Sequence, residues 1–196
     1  LVKVIAMMIS TRYFARMKIA NHIRALVSRL TRLDASDTWG DDLNPAQISA
    51  LEYLSCANRF SRAPSHVAEY LGTTRGTMSQ TLKALMRKGY VSEARSEADK
   101  RSIRYDLTET GFAVAGRTAA LTEAIAALPA DRQTDLAETL STVLKSRLAA
   151  RGGRAFGMCR SCAYHRTTGD GAFCALLSLP LAAEEGDQIC HEQVAA

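Results

Sequence analysis

The chain has 196 residues, 47% of them apolar and 23% charged, with a formal net charge of +5 and five cysteines. This is the composition of an ordinary folded protein, which excludes a disordered or collagen-like polypeptide. The charge is unevenly spread. Arg59 to Arg104 holds ten Lys or Arg against four Asp or Glu, and Ala155 to Ala196 holds two against five, so the middle is a candidate polyanion surface and the tail is not.

Abundant Ala, Leu, Arg and Glu in the first 150 residues, with only four prolines in the chain, predict a mainly helical body. The apolar run Leu1 to Ile9 is too short to cross a bilayer, and no small-residue cleavage pattern follows it closely. A cytoplasmic protein without a membrane partner is expected, with this run packed at a subunit interface. Ile19, Ile23, Leu26, Val27 and Leu30 recur at helical spacing within Met17 to Leu33, and Asp34 to Asn44 reads as a loop. Asn44-Pro45 then signals a helix start, since Asn caps free N–H groups and Pro suits the first turn. Ile48, Leu51 and Leu54 supply its buried face, and Cys56 at its end reads as a small core residue.

Ser65 to Gly72 has the pattern of a short helix closed by glycine, and Thr73 to Leu85 begins another at once, which predicts a helix-turn-helix. Met78, Leu82 and Leu85 fall on one face, toward the core. Arg75, Thr77, Ser79, Gln80 and Lys83 occupy the rest, all with side chains able to hydrogen-bond in a major groove. Most polar helix faces are merely solvated, but the following residues favour recognition. Gly89-Tyr90-Val91 leads into a strand, Arg95 to Asp99 makes a polar tip, and Ile103 to Leu107 alternates as a returning strand, giving a winged helix.

Leu85-Met86-Arg87-Lys88-Gly89-Tyr90-Val91, then Asp99-Lys100-Arg101, then Leu107-Thr108-Glu109-Thr110-Gly111 resemble the MarR (multiple antibiotic resistance regulator) family of winged-helix regulators over about residues 15 to 150. The resemblance implies a homodimer on pseudo-palindromic operator DNA, with a recognition helix in each major groove and a wing at each minor groove. It also implies that Asp99 positions Arg101 for the minor groove, with Arg95 and Lys100 beside it on the DNA surface. Thr108 is expected to cap a helix, and Gly111 to permit close packing. Glu93 stands where many members carry Arg and is not assigned to the DNA surface. Many such regulators take a small aromatic effector, although no residue here identifies its pocket. An enzyme is not expected: there is no nucleotide loop and no catalytic constellation.

Thr108 to Ala127 reads as a helix, Pro129 interrupts it, and Asp131 can cap a final helix striped by Leu136, Leu140, Val143, Leu144 and Leu148. So many apolar positions point to dimerisation. The expected organisation is therefore a winged-helix and dimerisation domain over 1–150, a hinge over 151–154 and a cysteine module over 155–196. The module places Cys159, Cys162, Cys174 and Cys190 in the order C-x2-C-x11-C-x15-C, which in a reducing compartment reads as metal or cluster ligation.

Three chemistries fit those four thiols. Four thiolates suit structural zinc, although zinc ribbons usually present two C-x2-C pairs. The order is similar to that of high-potential iron–sulfur proteins and of small cluster-bearing subunits of some glycyl radical enzymes, which favours an iron–sulfur cluster, [4Fe–4S] before [2Fe–2S]. Phe156, Tyr164, Phe173, Leu176, Leu177, Leu179 and Leu181 could shield it, and His165 and His191 adjoin the ligands. A metal-free thiol switch is the third reading.

Overall fold

The computed structural model describes residues 2–37, 42–95, 103–116, 119–154, 156–168 and 171–194, with no side chains described before residue 18 or at residue 119. It is mainly helical with a small β-wing, as expected, and a set of short strands follows at the C-terminus. Helix α1 spans Val2–Asp37. It therefore takes in the N-terminal apolar run from Val2 onward and continues through Asp34 to Asp37, four residues further into the expected loop.

Helix α2, Pro45–Cys56, starts where the sequence places it. Asn44 Oδ1 accepts from the Gln47 N–H at 3.0 Å while the Asn44 N–H donates to Gln47 Oε1 at 3.2 Å, a reciprocal cap that satisfies two end groups. Leu51 and Leu54 are fully buried and Ile48 nearly so. Cys56 is exposed, contrary to the core role expected of it. Two residues beyond Leu54 it is turned about 200° from the core face by the helical period.

Helices α3, Pro64–Tyr70, and α4, Arg75–Arg87, form the helix-turn-helix. Gly72, between them, has φ +65°, a left-handed backbone that glycine adopts without a Cβ clash. Strands β1, Val91–Arg95, and β2, Ile103–Leu107, pair antiparallel from Val91 opposite Leu107 to Arg95 opposite Ile103. The core joins Leu51 and Leu54 of α2, Val67 of α3, Leu82 and Leu85 of α4, and Tyr105 of β2.

Helix α5 runs Glu109–Ala115, α6 Ala119–Ala126 and α7 Ala130–Ala149, so the single helix expected over Thr108 to Ala127 is two. Thr108 caps α5 as expected, its Oγ1 accepting from the Gly111 N–H at 3.2 Å and donating to the Gly89 carbonyl at 2.7 Å. Pro129, not Asp131, stands at the start of α7; Asp131 sits inside the first turn, where its charge still complements the helix dipole. No side chain of α7 is buried, and Ile19, Ile23 and Leu30 on α1 and Leu140, Val143 and Leu144 on α7 are exposed by about half or more.

Beyond α7, strands β3, Gly157–Met158, and β7, Ile189–Cys190, pair antiparallel. A second sheet has the order β4, His165–Thr168, β5, Gly171–Cys174, and β6, Leu179–Leu181. Among the described residues no helix is long and apolar enough to cross a membrane.

Candidate nucleic-acid interface and cysteine centre

Helix α4 is built to present one polar face. Met78, Leu82 and Leu85 turn inward with at most 2% exposure, as their spacing predicts. Arg75, Thr77, Gln80 and Lys83 are exposed and Ser79 is half-buried. Thr74 caps the helix by accepting from the Thr77 N–H at 3.1 Å, and its hydroxyl lies 2.8 Å from that of Thr77, so Thr77 is tied to the cap as well as to the outer face. The first turn carries no acidic residue, which leaves its N–H groups and positive dipole end suited to a phosphate.

The wing extends this surface. Arg95 is exposed at the end of β1, whereas Asp99, Lys100 and Arg101 lie outside the described residues. Glu93 accepts a hydrogen bond at 3.1 Å from the hydroxyl of Tyr105, its cross-strand neighbour, and so serves the wing's packing. Burial, followed by that carboxylate, pushes the Tyr105 phenol up to about 12. Asp106 holds the base of β2 through Arg62 Nη1 at 2.9 Å and Arg104 Nε at 3.0 Å.

The four C-terminal cysteines are free thiols drawn to one region. Cys159 and Cys162 flank a 3-10 turn in which the Cys162 N–H donates to the Cys159 carbonyl at 3.0 Å. Cys174 ends β5 opposite His165, and Cys190 ends β7 opposite Gly157. Cys159 and Cys190 are buried, the other two half-buried. Burial pushes the Cys159 thiol up to about 12, and Cys190, Cys174, Cys162 and Glu185 add to that rise, so the other three sulfurs all lie near enough to act on Cys159. A bound cation supplies the charge that turns thiols into thiolates, so four cysteines gathered here are a donor set whose chemistry fits a metal or cluster. Among the described residues no three His, Cys, Asp or Glu side chains are drawn in tightly enough to hold a single ion.

Residues 41–102 match the model of the MarR family. The chain is similar in fold to FabT of Streptococcus pneumoniae in complex with DNA, with 19% identity, a TM-score of 0.54, and 68% of this chain and 98% of that chain covered. A MarR transcriptional regulator from Methanosarcina mazei Go1 gives 19% identity, a TM-score of 0.53, and coverage of 67% and 97%. The stretch 41–102 is similar to a MarR-type winged helix. The family match covers about a third of the chain, and the structural likeness is one of fold. No curated protein matches the sequence. About a third of the chain lies outside the superposition on the FabT structure.

The cysteine module is docked on the winged-helix domain at the corner between α2 and α3. Ala57 bridges to Ile189, and the Asn58 N–H donates to the Ile189 carbonyl at 2.9 Å. Arg59 pairs with Glu185, whose side chain is 5% exposed, and also donates to the Pro180 carbonyl. Phe60 packs with Cys159, Leu181 and Cys190 in a small second core, to which Leu177 and Leu179 contribute as expected. Phe156 does not join it: its ring meets Tyr53 and Tyr70 edge-on at 6.3 and 5.4 Å, on the main core. It holds φ +45°, a conformation that costs a non-glycine residue about 1–2 kcal/mol and that these contacts offset. Tyr164 and Leu176 are exposed rather than shielding the sulfurs.

Two histidines complete the junction. His66 of α3 stacks on His191 with ring centroids 3.4 Å apart, and burial is the first cause that brings the His66 pKa down to about 4. Asn58, Ser61 and His66 were not among the residues expected at a functional site, and neither was Arg59. Their short polar segment between two apolar helices reads locally as a connection.

Proposed function

We propose that the chain is a homodimeric MarR-type regulator that binds operator DNA through α4 and the wing, and whose operator affinity is set by an iron–sulfur cluster on Cys159, Cys162, Cys174 and Cys190. The carrying observation is the docking of the four-cysteine centre on the α2–α3 corner, next to the helix that packs on α4. Arg75, Thr77, Ser79, Gln80 and Lys83 supply the base- and phosphate-contacting face, with Arg95, Lys100 and Arg101 on the wing and Asp99 orienting Arg101. The FabT structure similar in fold is of a protein in complex with DNA, which supports the same partner here. Half-exposed apolar faces on α1 and α7 support a second copy of the chain as their cover.

The ligand order favours a cluster, [4Fe–4S] before [2Fe–2S], and makes iron supply, oxygen or redox state the signal. A structural zinc ion, with a small molecule as the effector, is the second reading. A cavity of about 460 Å³ lined by residues that include Asp34, Glu52, Leu121 and Ile125 lies where α1, α2 and α6 meet and could receive such a molecule. The protein is placed in the cytoplasm, where thiols stay reduced. Anaerobic purification tests both parts of the reading. The expected product has the mass of two chains and carries iron with acid-labile sulfide; stoichiometric zinc without a chromophore would defeat the cluster.

A further inference from the structure

Asn58 has no exposed surface, and its side chain is satisfied on one side only. Oδ1 accepts from Ser61 Oγ at 2.7 Å, whereas Nδ2 is buried without a partner. Ser61 Oγ in turn accepts the His191 N–H at 2.9 Å, and the Asn58 N–H is held by the Ile189 carbonyl. These bonds fix Asn58 against both residues that flank Cys190. Asn58 and Ser61 thus lie beside Cys190, and both side chains act on its thiol against the rise that burial causes. A metal-bound sulfur accepts a hydrogen bond better than a thiol does, so the unpaired N–H has a partner when Cys190 is a ligand.

We propose that Asn58 is a positioning residue of the cysteine centre, its Nδ2 donating to the sulfur of Cys190 once that sulfur is a ligand and its Oδ1 clamped by Ser61. The inference rests on the reading of the four cysteines as ligands and adds to it a group from the DNA-binding domain. The sulfur centre and the corner preceding α3 then share a hydrogen bond that exists only in the loaded state. Supporting groups of this kind typically change metal affinity 10–100-fold.

The test uses the full chain loaded with cadmium-113. Scalar coupling between the metal and the Asn58 side-chain amide protons, through the Cys190 sulfur, is expected in the wild type. Asn58→Asp, which keeps the acceptor toward Ser61 and removes the donor, is expected to hold cadmium about 10–100-fold more weakly against a chelator. Ser61→Ala, which frees the carboxamide, should show a loss in the same direction. Should Asn58→Asp fail to fold, the wild-type coupling and Ser61→Ala still decide. A fully loaded wild type without that coupling, or variants that retain cadmium as the wild type does, would overturn the role of Asn58 and leave the ligands standing. Cadmium that does not bind the four cysteines would remove the ligand reading and this inference together.

Discussion

Gly111 shows how a single position sets the packing of the winged helix. A Cβ built there would lie 2.1 Å from the Tyr90 carbonyl oxygen, a backbone atom that cannot turn aside. Gly111→Ala is therefore expected to destabilise the domain by about 1–3 kcal/mol or more, the usual range for overpacking. Denaturant unfolding reads this directly, and a midpoint equal to that of the wild type would refute the close approach. His66 offers a second single-residue test, through pH. Its ordinary pKa is 6.5 and burial lowers it to about 4 in the folded protein, so the unfolded chain binds more protons between those values. The stability that neutral His66 contributes is whole above pH 6.5 and is lost as pH falls toward 4. His66→Phe should lose less stability than the wild type between pH 7 and pH 5, and equal losses would mean that His66 is not held neutral.

At the scale of elements, α4 carries the recognition claim. Its inward stripe of Met78, Leu82 and Leu85 fixes the helix's rotation, and that rotation leaves Arg75, Gln80 and Lys83 outside. Separate Ala substitutions at these three should weaken binding to an operator selected from random duplex DNA. A side chain that reads a base costs about 1–3 kcal/mol with relaxed preference at that base. One that holds a phosphate weakens all sequences alike and lowers the salt slope by about 1. Unchanged affinity and slope in all three variants would show that another surface meets the DNA.

These elements were legible in the sequence because their signals are local. The Asn44–Gln47 cap, the glycine at 72, the period of the α4 core face and the alternation of β2 each lie within a few residues. What the sequence did not reveal depends on contacts far apart along the chain. Arg59 meets Glu185 and Ser61 meets His191 across more than 120 residues, so nothing near Asn58 to Ser61 distinguishes a docking surface from a connection. Cys56 was misplaced for a related reason: cysteine's preference for the interior is an average, and the helical period turns this one outward. The wing motif Asp99-Lys100-Arg101 lies outside the described residues, and its role in the minor groove rests on the family resemblance.

For the molecule as a whole, docking changes how a signal at the cysteines would reach DNA. A tethered module could act only through the end of α7, by way of residues 151–154. The docked one touches the corner that orients α3, and α3 packs on α4. A difference of about 1.4 kcal/mol in operator binding between loaded and unloaded forms is a tenfold change in affinity. The most direct test is to titrate one operator fragment with anaerobic protein before and after removal of its bound metal by a chelator, with Cys159→Ser beside it. The account predicts that removal changes affinity at least about tenfold and that Cys159→Ser behaves as the stripped protein does. Equal affinity in all three states would contradict it and leave a winged-helix protein whose cysteine centre serves structure alone.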